Sequence, residues 1–125
     1  MSILESGEMY LETILLLKKE MENVRSIDIA NYLNYSRPSI SRAVNILKDD
    51  GYITIDDKGH IDFTKKGEEI AKDIYEKHIA LTDFFQLIGT SPETAEEDAC
   101  RIEHVISEET FDRIKDHVKK LKKTK

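Results

Sequence analysis

The change of hydrophobic period near Tyr52 constrains this chain more than any other feature. At Tyr52-Ile53-Thr54-Ile55 and His60-Ile61-Asp62-Phe63 the apolar residues form short β-type runs around Asp56-Asp57-Lys58-Gly59, which is a hairpin signal. Upstream, apolar residues recur at helical spacing in three successive segments. The first runs from about Glu5 to Glu22 and carries Met9, Ile14, Leu15, Leu17 and Met21. The second, Ile27 to Leu33, has Ser26 at its N-cap position and turns Ile29, Ala30 and Leu33 inward. Asn34-Tyr35-Ser36 breaks the pattern. The third starts near Arg37-Pro38, points Ile40, Val44, Ile46 and Leu47 inward, and stops near Asp50-Gly51.

Helical patterning returns after the hairpin. Thr64 caps a long helix from about Lys65 to Leu87, and Gly89 closes it. Ser91-Pro92-Glu93 opens a helix from about Pro92 to Val105, and Ser107-Glu108-Glu109 opens a last one that fades into Lys119-Lys120-Leu121-Lys122-Lys123. The order predicts a mainly α fold: an N-terminal winged helix-turn-helix with a small β-hairpin wing, then an all-helical dimerisation and metal-binding domain. The expected domains are 1–74 and 75–125, with the junction inside the long helix near Tyr75.

The 125 residues suffice for one ordinary domain or two small ones sharing a core, and 39% hydrophobic with 35% charged residues is a folded, soluble composition. No apolar run approaches the roughly 20 residues of a membrane helix, and the start lacks a basic, apolar leader, so no membrane partner and a cytoplasmic location are expected. The single cysteine, Cys100, cannot form an intramolecular disulfide and is a buried thiol, a reactive thiol or a metal ligand.

In a winged helix-turn-helix, the helix after the turn enters the major groove of double-stranded DNA. Ser36, Arg37, Pro38, Ser39, Ser41 and Arg42 cluster at the N-terminal end of that helix, the end that reaches base edges. Arginine pairs with guanine N7 and O6, serine bonds to bases or phosphates, and proline touches a thymine methyl. The same residues also suit a plain N-cap beside a solvated face. The net charge of −6 is acidic for a nucleic-acid binder, so binding depends on where the positive charges sit. Lys58 against Asp56 and Asp57 leaves the wing little to contribute.

Cys100, Glu103 and His104 stand at positions i, i+3 and i+4, which fall on one helix face and offer thiolate, carboxylate and imidazole to one point. That mixture suits a first-row transition metal rather than calcium or magnesium. A core cysteine beside a surface Glu-His pair would leave the same trace. His78 on the long helix, and Glu8, Met9 and Glu12 on the first, add further soft and hard donors.

The chain resembles the diphtheria-toxin-repressor family of iron- and manganese-dependent regulators over nearly its whole length. The resemblance rests on Glu8-Met9-Tyr10-Leu11, the Ser36 to Arg42 segment, Lys77-His78, and Asp98-Ala99-Cys100-Arg101-Ile102-Glu103-His104-Val105. In iron-responsive members it implies a regulatory site of Met9, Cys100, Glu103 and His104. It also implies a second site at His78, where the family's other two ligand positions hold Thr82 and Glu96 here, with Asp83 adjacent. Manganese-responsive members carry an aspartate for Met9 and a glutamate for Cys100, and recruit a glutamate matching Glu12. The softer donors here favour Fe(II), with Mn(II), Co(II), Ni(II) and Zn(II) able to occupy such a site. Longer members add an SH3-like domain, so this chain is expected to be a short, two-domain form.

The resemblance implies a homodimeric repressor of metal-uptake genes with the metal as co-repressor. Two recognition helices would meet the half-sites of a palindromic operator about one DNA turn apart, or a multiple of it. Metal is expected also to reposition the first few residues. Dimer contacts are expected from Phe84, Phe85, Leu87, Ile88, Ile106 and Phe111. Two rivals make different predictions. A metal-independent winged-helix regulator with Cys100 as redox sensor would bind DNA in chelator and release it on thiol oxidation. A small metallohydrolase using Glu103 and His104 would turn over generic esters.

Overall fold

A computed structural model describes residues 5–123. The expectation about the first few residues lies outside that range. Among the described residues there are six helices and two strands, in the order α1 (Glu5–Glu20), α2 (Ser26–Leu33), α3 (Arg37–Asp49), β1 (Ile53–Ile55), β2 (Ile61–Phe63), α4 (Lys65–Leu87), α5 (Pro92–Ile102) and α6 (Glu108–Lys123). The chain divides into two compact units, one running through Lys72 and the other starting at Asp73.

The first unit is a helix-turn-helix with a wing. Leu11, Ile14 and Leu17 of α1, Ile29 and Ala30 of α2, and Ile40, Val44 and Leu47 of α3 pack with Val24, Tyr52, Ile53, Ile61 and Ala71 into one buried cluster. Local chemistry sets the helix ends. Asp28 accepts the Arg25 backbone N–H at 2.8 Å, so Arg25 is the N-cap of α2 and Ser26, expected in that role, is its first residue. Asn34 ends α2 at φ +59°, a left-handed conformation that asparagine tolerates. Ser36 caps α3 by accepting the Ser39 N–H at 3.3 Å, with Pro38 in the first turn.

β1 and β2 pair antiparallel, Ile53 opposite Phe63 and Ile55 opposite Ile61. Asp56 holds the connecting turn by accepting the N–H groups of Lys58 at 2.9 Å and His60 at 2.8 Å, which lowers its carboxyl pKa below the usual range. The hairpin is tied back to the helices twice. Ile61 N–H donates to Val24 O at 2.7 Å, and Lys18 Nζ donates to Asp62 Oδ1 at 2.8 Å. The N-terminus of α4 comes close behind: Gly67 donates its N–H to Thr64 Oγ1, and a Cβ at Gly67 would lie 1.9 Å from Tyr52 O.

Two expected core positions are corrected. Ile46 is 60% exposed and Met21 lies at the surface, because Ile40, Val44 and Leu47 already define the inward stripe of α3 and α1 ends at Glu20.

The second unit comprises most of α4 with α5 and α6, and buries Ile74, Leu81, Ala95, Ala99, Phe111 and Val118. Phe111, expected at a dimer face, is 2% exposed and so offers no area to a partner. α5 is also shorter than expected, stopping at Ile102 rather than Val105. Lys77 is the buried cation of this unit, with Nζ 2.7 Å from Glu108 Oε1 and 3.4 Å from Asp73 Oδ2. Burial pulls its pKa down, but the two carboxylates outweigh that and hold it above the ordinary lysine value. No helix among the described residues is long and apolar enough to cross a membrane.

Candidate functional site

The second unit gathers three of the expected ligands. Ser91 caps α5, and the helical turn persists just past Ile102: Glu103 has φ −57° and ψ −25°, and its N–H donates to Ala99 O at 2.9 Å. This continuation turns the Glu103 side chain into the interior, where the residue is 1% exposed. His78 approaches from α4, with Nδ1 2.8 Å from Glu103 Oε2. His104 follows with its side chain 7% exposed and Nε2 3.4 Å from Glu103 Oε1.

The two carboxylate oxygens differ. Oε2 is hydrogen-bonded to His78, whereas Oε1 is buried with no hydrogen-bond partner. Stranding a buried acceptor costs about 1–3 kcal/mol, and more when it is charged. Buried charges therefore occur paired or coordinated to metal. A divalent transition metal fits this donor set: a carboxylate oxygen lacking a hydrogen-bond partner, an adjacent imidazole, and a second imidazole that orients the carboxylate.

The remaining expected ligands are distributed as follows. Cys100 is exposed on the last turn of α5, although Glu103 and His104 are buried or nearly so. His78, which the resemblance assigns to a second site, hydrogen-bonds to the first site's Glu103. Asp83 accepts from Lys122 Nζ at 2.9 Å, Thr82 Oγ1 donates to His78 O at 2.7 Å, and Glu96 is exposed on α5. In the first unit, α1 carries Met9 half-buried and Glu12 buried. The burial of Lys77 beside His78 has no counterpart in the sequence reading, because a lone lysine in a charged helix reads as solvated.

The candidate DNA face is the outer side of α3. Arg37, Pro38, Ser41 and Arg42 are exposed. Ser36 and Ser39 are engaged with each other, Ser36 Oγ donating to Ser39 Oγ at 2.8 Å while accepting the Ser39 N–H. Tyr35, half-exposed at the turn, packs edge-on against Tyr10 of α1 with ring centroids 6.5 Å apart. Burial, then the neighbouring Tyr35, raises the Tyr10 hydroxyl pKa. This contact ties the turn before α3 to the helix that carries Met9.

Comparison with known proteins agrees with both halves of this reading. Residues 2–61 match the family described as iron dependent repressor, N-terminal DNA binding domain. Residues 64–125 match iron dependent repressor, metal binding and dimerisation domain. The chain is 33% identical over 120 residues to an HTH-type transcriptional regulator of Methanocaldococcus jannaschii, covering 94% of this chain and 96% of that protein. It is 33% identical over 113 residues to the iron-dependent repressor IdeR of Mycobacterium tuberculosis, covering 90% of this chain and 49% of that protein. Among solved structures, the manganese regulator SloR superposes with a TM-score of 0.80 at 25% identity, covering 95% of this chain and 55% of that one. The chain thus spans nearly all of the first relative and about half of the other two. It belongs to the iron-dependent repressor family, the diphtheria-toxin-repressor group of metal-dependent regulators.

Proposed function

We propose that this protein is a cytoplasmic, homodimeric transcriptional repressor that binds a palindromic DNA operator when a divalent transition metal, most favourably Fe(II), is bound. The observation that carries the reading is the buried Glu103 carboxylate, whose Oε1 has no hydrogen-bond partner beside His104. We assign metal binding to Cys100, Glu103 and His104 with Met9 and Glu12, and treat His78, Asp83 and Glu96 as donors of a second site. Residues 1–74 bind DNA, and 75–125 dimerise and sense metal. The family supports metal-dependent regulation over a metal-independent cysteine sensor, and this reading needs no catalysis.

The preference for Fe(II) rests on chemistry. A thioether and a thiolate are soft donors and disfavour Mn(II), although Co(II), Ni(II) and Zn(II) tolerate the same set. When bound, the metal supplies positive charge to a buried carboxylate and thereby favours the state that holds it, which is a shift of population. His78 orients the Glu103 carboxylate through Nδ1. On the DNA side, α3 offers its exposed N-terminal end to base edges and phosphates, and its own cap needs only Ser36 and Ser39. Ile88 and Val105, both exposed, and the half-buried Phe84, Phe85, Leu87 and Ile106 are apolar groups the second unit can offer to another copy.

The test is an anaerobic selection from random DNA by the purified protein, run with Fe(II), with Mn(II) and with chelator. A palindrome should be enriched in the metal arms alone, and more strongly with iron. Equal enrichment in chelator would overturn the sensor and leave a metal-independent regulator.

A further inference from the structure

The outer face of α3 carries more than the residues at its N-terminal end. Pro38, Arg42, Asn45 and Asp49 are spaced by four, three and four residues, so they lie along one side of the helix, and all four are exposed. The opposite side is committed to the core through Ile40, Val44 and Leu47. Ser36 and Ser39 spend their hydroxyls on each other at the cap. Among the described residues, the side chains of Arg42 and Asn45 form no hydrogen bond or ion pair within the chain. Asn45 therefore presents a carboxamide, one donor edge beside one acceptor edge, with nothing inside the protein to engage it.

That pairing of donor and acceptor matches one base. In the major groove adenine offers the N7 acceptor next to the N6 amino donor, and asparagine meets both at once, as arginine meets guanine. Three residues of helix advance about 4.5 Å, against about 3.4 Å per base pair, so Asn45 reaches a base pair neighbouring the one under Arg42. Ile46, 60% exposed beside Asn45, is the large apolar side chain α3 leaves in water. It suits the C5 methyl of thymine, which an A·T pair also presents in this groove.

We propose that Asn45 is a base-reading residue that selects an adenine in each half-site of the operator. The proposal rests on α3 being the helix that enters the major groove. The experiment repeats the DNA selection with metal-loaded wild-type protein, Asn45→Ala and Ile46→Ala, followed by titration of single-base operator variants at two salt concentrations. Asn45 is exposed and outside the core, so the variant should match the wild type in thermal unfolding. Asn45→Ala is expected to keep the rest of the operator while losing its adenine preference at one position per half-site. Discrimination there should fall about 5- to 150-fold with the salt dependence unchanged. Ile46→Ala should weaken the thymine preference at the same or the adjacent pair. An unaltered base profile for Asn45→Ala would overturn the proposal, as would a uniform loss of affinity with a shallower salt dependence, the mark of a phosphate contact. A wild type that enriches no motif at all would overturn the proposed function as well, whereas the first two results leave that function standing.

Discussion

Replacing Glu103 by glutamine separates the cost of the metal site from its benefit. Glutamine keeps the shape and can still accept from His78 Nδ1 at the Oε2 position. At the Oε1 position it puts an amide donor 3.4 Å from His104 Nε2, where the wild type has a buried carboxylate oxygen without a hydrogen-bond partner. Relieving a stranded acceptor is worth about 1–3 kcal/mol, so metal-free Glu103→Gln should be at least as stable as the metal-free wild type, and more stable by up to that amount. Metal should act in the opposite direction. A ligand at a hundredfold excess over its Kd adds about 2.7 kcal/mol to the native state. For a chain of this size that is a rise in Tm of about 10 °C. The assay is thermal unfolding by circular dichroism under anaerobic conditions, with and without Fe(II), for both proteins. A large metal increment is expected in the wild type and almost none in Glu103→Gln. A variant strongly destabilised without metal that retains the full metal increment would rule out Glu103 as the metal-binding carboxylate.

Other consequences follow from packing and charge. Gly67→Ala gains about 1 kcal/mol of helix propensity but drives a Cβ to 1.9 Å from the Tyr52 carbonyl oxygen, a backbone atom that cannot swing away. Overpacking of this kind costs about 1–3 kcal/mol, so urea titration should show a net loss of up to about 2 kcal/mol, and a stabilised variant would contradict the close approach. The Lys18 hydrogen bond holds the Asp62 carboxyl below its usual pKa, so this pair contributes above the unfolded carboxyl value and is lost as pH falls through the lowered folded one. The pair is solvent-exposed and worth under about 1 kcal/mol, so Lys18→Ala should cost a few tenths at pH 7 and nothing near pH 2, by urea titration at both. An equal cost at both pH values would count against the pairing.

Much of the fold was legible because its determinants are local. The Ser36 cap, the Asp56-to-Gly59 turn and the limits of α4 each depend on residues a few positions apart, and each formed where the spacing predicts. The misreadings arose where tertiary packing decides. Ile46 is apolar and one residue from the buried Leu47, but that step is about 100° around the helix, and apolarity alone does not reveal which side faces the core. Residues 103–105 carry neither glycine nor proline, so nothing local marked the end of α5 at Ile102. At the candidate site, residue types and spacing named Glu103 and His104, yet the depth of Glu103 was invisible. It depends on His78, 25 residues away on another helix, and an acidic side chain ordinarily reads as exposed. The Gly67 approach to Tyr52 was hidden for the same reason.

Metal control of DNA binding is measured by titrating one selected operator with the protein in Fe(II) and again in chelator at the same ionic strength. Coupling between two ligands of one protein typically changes affinity about 5- to 150-fold, so the operator Kd should be tighter by at least that lower factor with metal. The increment should vanish in Glu103→Gln. The same Kd in both conditions for the wild type would rule out metal control.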